Sequence, residues 1–448
     1  MRAAQAALCT LLWLTAPAMA APGEPARCEI GAWRLSDGRV LDIGPSEGGL
    51  RWRLFDGTTG KLVPVGNDGA GKDWASMVGW TNHRDATTLS FAECAADAIV
   101  FDGLAGRRIA FDETNTRFTG DGVTLAGRLV MPLGLEPAPI VVLIHGSEDY
   151  SARDLYPLQR QLPAEGVGVF VYDKRGTGAS GGAYTQDFNL LANDAVAAMR
   201  EARRLAGRRA GRIGYLGASQ GGWVAPMAAN RAPVDFVIVG YGLAVSPLEQ
   251  NRAEMKLEMR LAGHGPLEIA RAMEIVRAGE RVMLSNFTKG FQDFEAARVK
   301  YRDAPWFSAV HGNYTYRMLP LSLEALKASQ ASFVLGTPWR YDPMATLRAS
   351  KTPQLWVLGE DDLLAPSAET ARRILALREA GHDFTLAIFP HAGHGIMEYE
   401  AFGAGQRVET RVADGYDAMI RDFAATGALA GRYGAATLDP AARPLGAR

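Results

Sequence analysis

Cysteine is scarce in this sequence, present only as Cys9, Cys28 and Cys94. Cys9 falls in an N-terminal stretch with the marks of a secretory leader. That stretch has one charge at Arg2, an apolar run from Ala6 to Ala16, and the A-x-A site Ala18-Met19-Ala20. The run is too short to span a bilayer, and no later stretch is long and apolar enough for a membrane helix. Residues 1–20 are therefore expected to be removed as a signal peptide, leaving a periplasmic or secreted chain. In that oxidising setting the remaining pair, Cys28 and Cys94, is expected to form one disulfide. Net charge is lacking too. The 48 Lys and Arg face 49 Asp and Glu, interspersed along the chain, which gives no footing for nucleic acid or an anionic membrane surface. The seven histidines form no cluster with Asp or Glu at ligand spacing, so neither a metal nor another cofactor is expected. No internal repeat is visible. Apolar residues are plentiful: 48% of 448 residues can bury one large core and a smaller second one.

From residue 21 to about 115 the pattern is short and β-like, punctuated by Gly, Asp and Asn. Leu50 to Phe55 alternates, which places Arg51 and Arg53 together on one face, expected to be wet. A small β-rich domain is predicted, packed against the rest or shaping its entrance. The character changes near Thr116. Ile140 to Ile144 is a continuous apolar strand of the kind buried in parallel sheets, and Gly166 to Tyr172, Arg212 to Gly217, Phe236 to Val239, Gln354 to Gly359 and Phe384 to Phe389 follow it. Helical stretches separate them, which implies βαβ units and a mostly parallel sheet. Between about 245 and 346 the alternation stops, giving way to helical segments and the aromatics Trp306, Phe307, Tyr314, Tyr316, Phe333 and Trp339.

One stretch organises the chemistry, Gly214-Tyr215-Leu216-Gly217-Ala218-Ser219-Gln220-Gly221-Gly222. It reads as a buried strand running directly into a helix with Ser219 at the corner. A serine raised above a sheet sits on a strained turn, so positions two before and two after it need almost no side chain. Gly217 to Gly221 resembles the G-x-S-x-G nucleophile elbow of the α/β hydrolases. The segment from Thr116 to Phe423 is similar to the esterase and peptidase-like branch of that superfamily. The likeness rests on His145-Gly146-Ser147, Asp173-Lys174-Arg175-Gly176, the Ser-Gln-Gly-Gly elbow and the turn Gly359 to Pro366. It implies an α/β-hydrolase fold: a mostly parallel, doubly wound sheet in a catalytic domain spanning 116–448, with a helical cap at about 245–346.

A serine hydroxyl becomes a nucleophile when an imidazole takes its proton and a carboxylate orients that imidazole. Past Ser219 the turn Gly359-Glu360-Asp361-Asp362 offers acids, and His391 and His394 both follow the last strand. The resemblance assigns Asp362 and His394, with Asp361 and then Glu360 behind the first and His391 left as a loop residue. It also gives the oxyanion hole to the amides of Ser147 and Gln220. Asp173, Lys174, Arg175 and His145 take structural parts on the same footing. Esters, thioesters and amides all suit such a site. The expected activity is that of a carboxylesterase on a small-molecule ester, acyl-CoA being out of reach of an exported protein. An exported peptidase of the prolyl-oligopeptidase type is the alternative, although the N-terminal region is too short for a propeller. An inactive binding protein on the same fold is the third. Within the cap, Trp306, Phe307 and Tyr314 are expected to shape a pocket for an apolar acyl or aryl group.

Overall fold

The computed structural model describes residues 28–46, 48–65, 73–93, 96–402 and 406–439. The expected leader lies outside the described residues, as does Cys94, and with it the expected pairing to Cys28. Among the described residues, no helix is long and apolar enough to cross a membrane.

Eight antiparallel strands from Gly31 to Arg108 close into a barrel. Its inward positions are apolar, with Trp33, Leu35, Leu41, Ile43, Trp52, Leu89 and Phe101 in one core. Trp52 stands edge-on to Phe101 at 5.0 Å. The alternation read in Leu50–Phe55 is present, but the outer face is not wet. Arg51 is fully buried and Arg53 half-buried. Arg53 pairs with Asp42 at 3.2 Å, and Asp42 also pairs with Arg160 of the following domain. This corrects the sequence reading. Period-2 alternation distinguishes two faces, and here the polar one is pressed against another domain.

A nine-stranded sheet follows. Across it run Thr437–Leu438, Phe384–Phe389, Gln354–Gly359, Phe236–Gly240, Ala210–Ala218, Ala138–Ile144, Gly168–Tyr172, Thr124–Pro132 and Phe111–Thr119. The six central strands are parallel, and the three outermost are antiparallel. One face packs on the helices Phe188–Ala206, Gly221–Arg231 and Ser367–Glu379, the other on Tyr416–Thr426. Helices on both faces explain why the central strands read as unbroken apolar runs. All six parallel strands point their C-terminal ends the same way, so the loops after them meet above one edge, where sheets of this kind place their ligands.

The cap leaves the sheet after Phe236–Gly240 and opens with Pro247–Leu261, Pro266–Leu284 and Phe291–Tyr301. Ser246 and Glu249 form a capping box at its start, with Pro247 at the first helical position. The cap has its own apolar core, built on Met255, Met259, Ile275, Val276, Met283, Phe294 and Met318. It is held to the sheet domain by bonds such as Gln250 Nε2 to Leu364 O (2.7 Å) and Thr185 Oγ1 to Leu335 O (2.9 Å).

Candidate active site

The elbow is strained as its residue types require. Ser219 lies at φ +52°, a left-handed conformation costly for a side-chain-bearing residue. A Cβ on Gly217 would stand 2.2 Å from Gly221 O, and one on Gly221 would stand 2.8 Å from the carbonyls of Ile144 and His145. Both positions therefore exclude any side chain. The Ser219 amide donates to Gly240 O at 3.0 Å, tying the corner to the neighbouring strand. The helix Gly221–Arg231 begins directly behind it.

Ser219 Oγ lies 3.1 Å from His394 Nε2, and His394 Nδ1 lies 2.9 Å from Asp362 Oδ2. Asp362 is almost fully buried, and its other oxygen accepts the Ala365 amide at 2.8 Å. The ring of Tyr241 meets that of His394 edge-on, with centroids 4.9 Å apart. Asp361 points elsewhere, accepting the Tyr399 hydroxyl at 2.8 Å. The His391 side chain is 82% exposed and 3.8 Å from Asp361. The structure thus brings Ser219, His394 and Asp362 together and leaves Asp361 and His391 outside that chain of contacts.

The His145-Gly146-Ser147 loop lies against the elbow, close enough that a Cβ on Gly146 would be 3.5 Å from Ser219 Cβ. Among the described residues neither the Ser147 nor the Gln220 amide has an acceptor. The loop is pinned from below. Lys174 Nζ donates to Gly146 O at 2.9 Å beneath the Tyr184 ring, and the Tyr184 hydroxyl donates to Ser147 O. Burial lowers the Lys174 ammonium to about 8, against the opposing pull of Glu148 and Asp149. Asp173 accepts Ser151 Oγ and the Ala179 amide, and Arg175 pairs with Asp194 at 2.7 Å. His145 Nε2 sits 2.5 Å from Tyr172 O and 3.1 Å from the Lys174 amide.

Two carboxyls in this region escaped the sequence reading. Glu148 accepts the Gly146 amide at 3.1 Å and the Tyr156 hydroxyl. Burial would raise it, but His145, Lys174 and Tyr156 outweigh that and hold it at about 2. Glu254 of the cap behaves in the opposite way. It is 3% exposed, accepts the Asn313 amide at 2.5 Å, and among the described residues has no cation within ion-pair reach. Burial first, then the charges of Glu258 and Asp362, push it up to about 9. One signal was available: Leu248, Asn251, Met255 and Met259 make a buried helical stripe that Glu254 borders.

Of the expected pocket aromatics, Trp306 is buried in the cap's own core against Tyr301, 5.2 Å between ring centroids. Phe307 packs on the outside of the same core. Tyr314 meets Trp339 edge-on at 4.8 Å, and burial and the nearby Glu254 raise its hydroxyl. No group of three His, Cys, Asp or Glu among the described residues could hold a metal ion.

Sheet order, cap position and a serine at the strand-to-helix corner define an α/β hydrolase. Residues 136–401, more than half of the chain, match the family described as serine aminopeptidase, S33, and the chain belongs to that family. No curated protein matches the sequence. Among solved structures it is similar to an esterase of Pyrococcus furiosus, at 15% identity and TM-score 0.41 over 63% of this chain and 84% of that one. It is similar to the acylaminoacyl peptidase of Pyrococcus horikoshii at 15% identity and TM-score 0.43, over 87% of this chain and 54% of that one. It is also similar to a proline iminopeptidase of Mycobacterium smegmatis at 18% identity and TM-score 0.39, over 63% and 92%.

Proposed function

We propose that the protein hydrolyses small carboxylic esters through an acyl-enzyme on Ser219. The observation that carries this is the run of contacts from Ser219 Oγ through His394 to the buried Asp362, at 3.1 and 2.9 Å. In this reading Ser219 Oγ bonds to the carbonyl carbon while its proton passes to His394 Nε2. Asp362 orients the ring and stabilises the imidazolium without itself taking the proton. The carbonyl oxygen, now anionic, turns toward the Ser147 and Gln220 amides. Collapse breaks the ester bond, and the departing alkoxide takes the proton from His394. Water then repeats the sequence with His394 as base, releasing the acid and restoring Ser219.

A second reading, hydrolysis of aminoacyl amides or esters, has one observation in its favour. Glu254 is a buried carboxyl near the Asp362 turn that has no cationic partner among the described residues. A substrate ammonium beside it would restore the missing charge and bring the carboxyl back to its ionised form.

The test is a panel of p-nitrophenyl esters of increasing chain length beside aminoacyl p-nitroanilides, together with fluorophosphonate labelling. One label on Ser219 is expected, and Ser219→Ala is expected to abolish it and to lower kcat by about 10⁴-fold or more. Labelling that persists in Ser219→Ala refutes the covalent mechanism. Anilides cleaved faster than every ester favour the second reading over the first.

A further inference from the structure

The turn carrying His394 is poorly suited to hold itself. His391, Gly395 and Ile396 have φ of +54°, +75° and +55°. Left-handed backbone is a genuine outlier for a β-branched residue such as Ile396, and such conformations persist only where the surroundings impose them. The element that imposes them follows at once. A two-stranded sheet, Met397–Phe402 paired with Gln406–Val412, grows out of this turn. Gly393 N–H donates to Met397 O at 2.8 Å, and Ala413 N–H donates to Ile396 O at 2.9 Å.

The hairpin grips the site on one side. All three polar groups of Asp361, the neighbour of Asp362, are engaged. Its amide donates to Ala392 O (3.0 Å), its carboxylate accepts the Tyr399 hydroxyl (2.8 Å), and its carbonyl accepts Arg407 Nη1 (2.6 Å). The Arg407 guanidinium lies 4.2 Å over the Tyr399 ring, so the two hairpin side chains hold each other as well.

On its other side the hairpin is seated on the barrel, backbone to backbone. Trp80 N–H donates to Glu409 O at 2.9 Å, and Val412 N–H donates to Gly57 O at 3.1 Å. The approach leaves no room for side chains. At Gly57, φ +89°, a Cβ would stand 2.1 Å from Val412 O, and at Gly79, φ +46°, 2.2 Å from Thr410 O. The barrel turn is itself held from behind by the buried Arg51, which donates to Gly79 O at 2.7 Å and lies 4.0 Å over the Trp80 ring.

We propose that the barrel and hairpin form a brace for the catalytic histidine, with Tyr399 and Arg407 as positioning residues and the Gly57–Gly79 seam as its anchor. The brace fixes the acid turn and the histidine turn relative to each other, and so keeps His394 in line with both Asp362 and Ser219. This gives the N-terminal domain a part in the reaction although, among the described residues, the hydrogen bonds of Ser219 all go to the sheet domain. The inference rests on the serine-hydrolase reading above.

The test uses Tyr399→Phe and Gly79→Ala in the full chain, with a short-chain p-nitrophenyl ester. Small displacements of a base suffice to slow proton transfer, so kcat should fall about tenfold in each variant with KM within about twofold. Hydrogen exchange at the Gly393 and Ala413 amides should accelerate about tenfold, while the strand Gln354–Gly359 keeps its protection. Tyr399→Phe keeps the ring and loses one hydroxyl, so it decides the matter if Gly79→Ala does not fold. Faster exchange with unchanged kcat makes the hairpin merely structural and overturns the proposal, as does unchanged exchange. Failure of the wild type to label at Ser219 sinks the hydrolase reading instead, and the exchange data still show whether the barrel holds this turn.

Discussion

Barrel and cap flank the same sheet, and the contrast between their buried charges is instructive. The barrel presents Asp42 and Arg53 to the sheet domain, where Arg160 completes a closed cluster with Asp42 at 2.5 and 3.2 Å. Its other seam is main-chain hydrogen bonding onto the hairpin. In the cap, an apolar core closes on itself, hydrogen bonds tie it down, and among the described residues the buried Glu254 has the Asn313 amide as its hydrogen-bond partner and no counter-charge. Burying a charge without a counter-charge is unfavourable, and unless a ligand supplies one, the group gives up its charge instead. The barrel's cluster is satisfied within the chain and serves architecture. The cap's carboxyl lacks a counter-charge among the described residues, and the aminoacyl reading proposed above assigns that charge to a substrate.

The comparison breaks first at Asp42. Asp42→Ala leaves Arg53 and Arg160 facing each other without the carboxylate that pairs with both, and urea unfolding should register a loss of about 3–5 kcal/mol. Relative rates on different ester chain lengths should not move. A loss under about 1 kcal/mol would mean that the cluster contributes little to docking. On the cap side, Glu254→Gln should lower kcat/KM on aminoacyl anilides by about 100-fold relative to short esters, the scale of an unpaired buried ammonium. Equal changes on both substrates would assign Glu254 to cap packing alone.

The smallest effect separates the two by pH. Asp417, on the helix Tyr416–Thr426, is raised to about 7, chiefly by burial, with Arg53 opposing and Asp42 and Asp56 adding to the rise. A carboxyl whose folded pKa exceeds its unfolded value near 3.8 binds more protons when folded. Stability therefore declines as pH climbs from the unfolded value through 7, then levels off. Between pH 5 and 8 Asp417→Asn should remove about 2 kcal/mol of that decline in thermal unfolding. A wild-type stability curve already flat over this range would contradict the assignment.

Much of the catalytic domain was legible because its signals are local. A buried parallel strand is apolar throughout, and a nucleophile elbow cannot tolerate side chains at Gly217 or Gly221, so both leave marks within a few residues. The resemblance then singled out Asp362 and His394 among close neighbours. That choice could not come from the residues alone, since Asp361 and Asp362 are adjacent acids on one turn. Only the fold separates them: one carboxylate faces His394 and the other faces Tyr399.

What the sequence by itself determined is the set of parts whose physics is local: β-rich start, parallel sheet, elbow and interposed helices. The tertiary structure alone decided which polar surfaces are dry. Arg51 and Arg53 alternate like solvent-facing residues, Glu254 sits in a helix full of charges, and Met397–Val412 has no long apolar run. Arg51 gets its role from Gly79, 28 residues away, and Glu254 from Asn313, 59 residues away. Periodicity along a chain tells how residues divide between two faces. It says nothing about what will be pressed against either one.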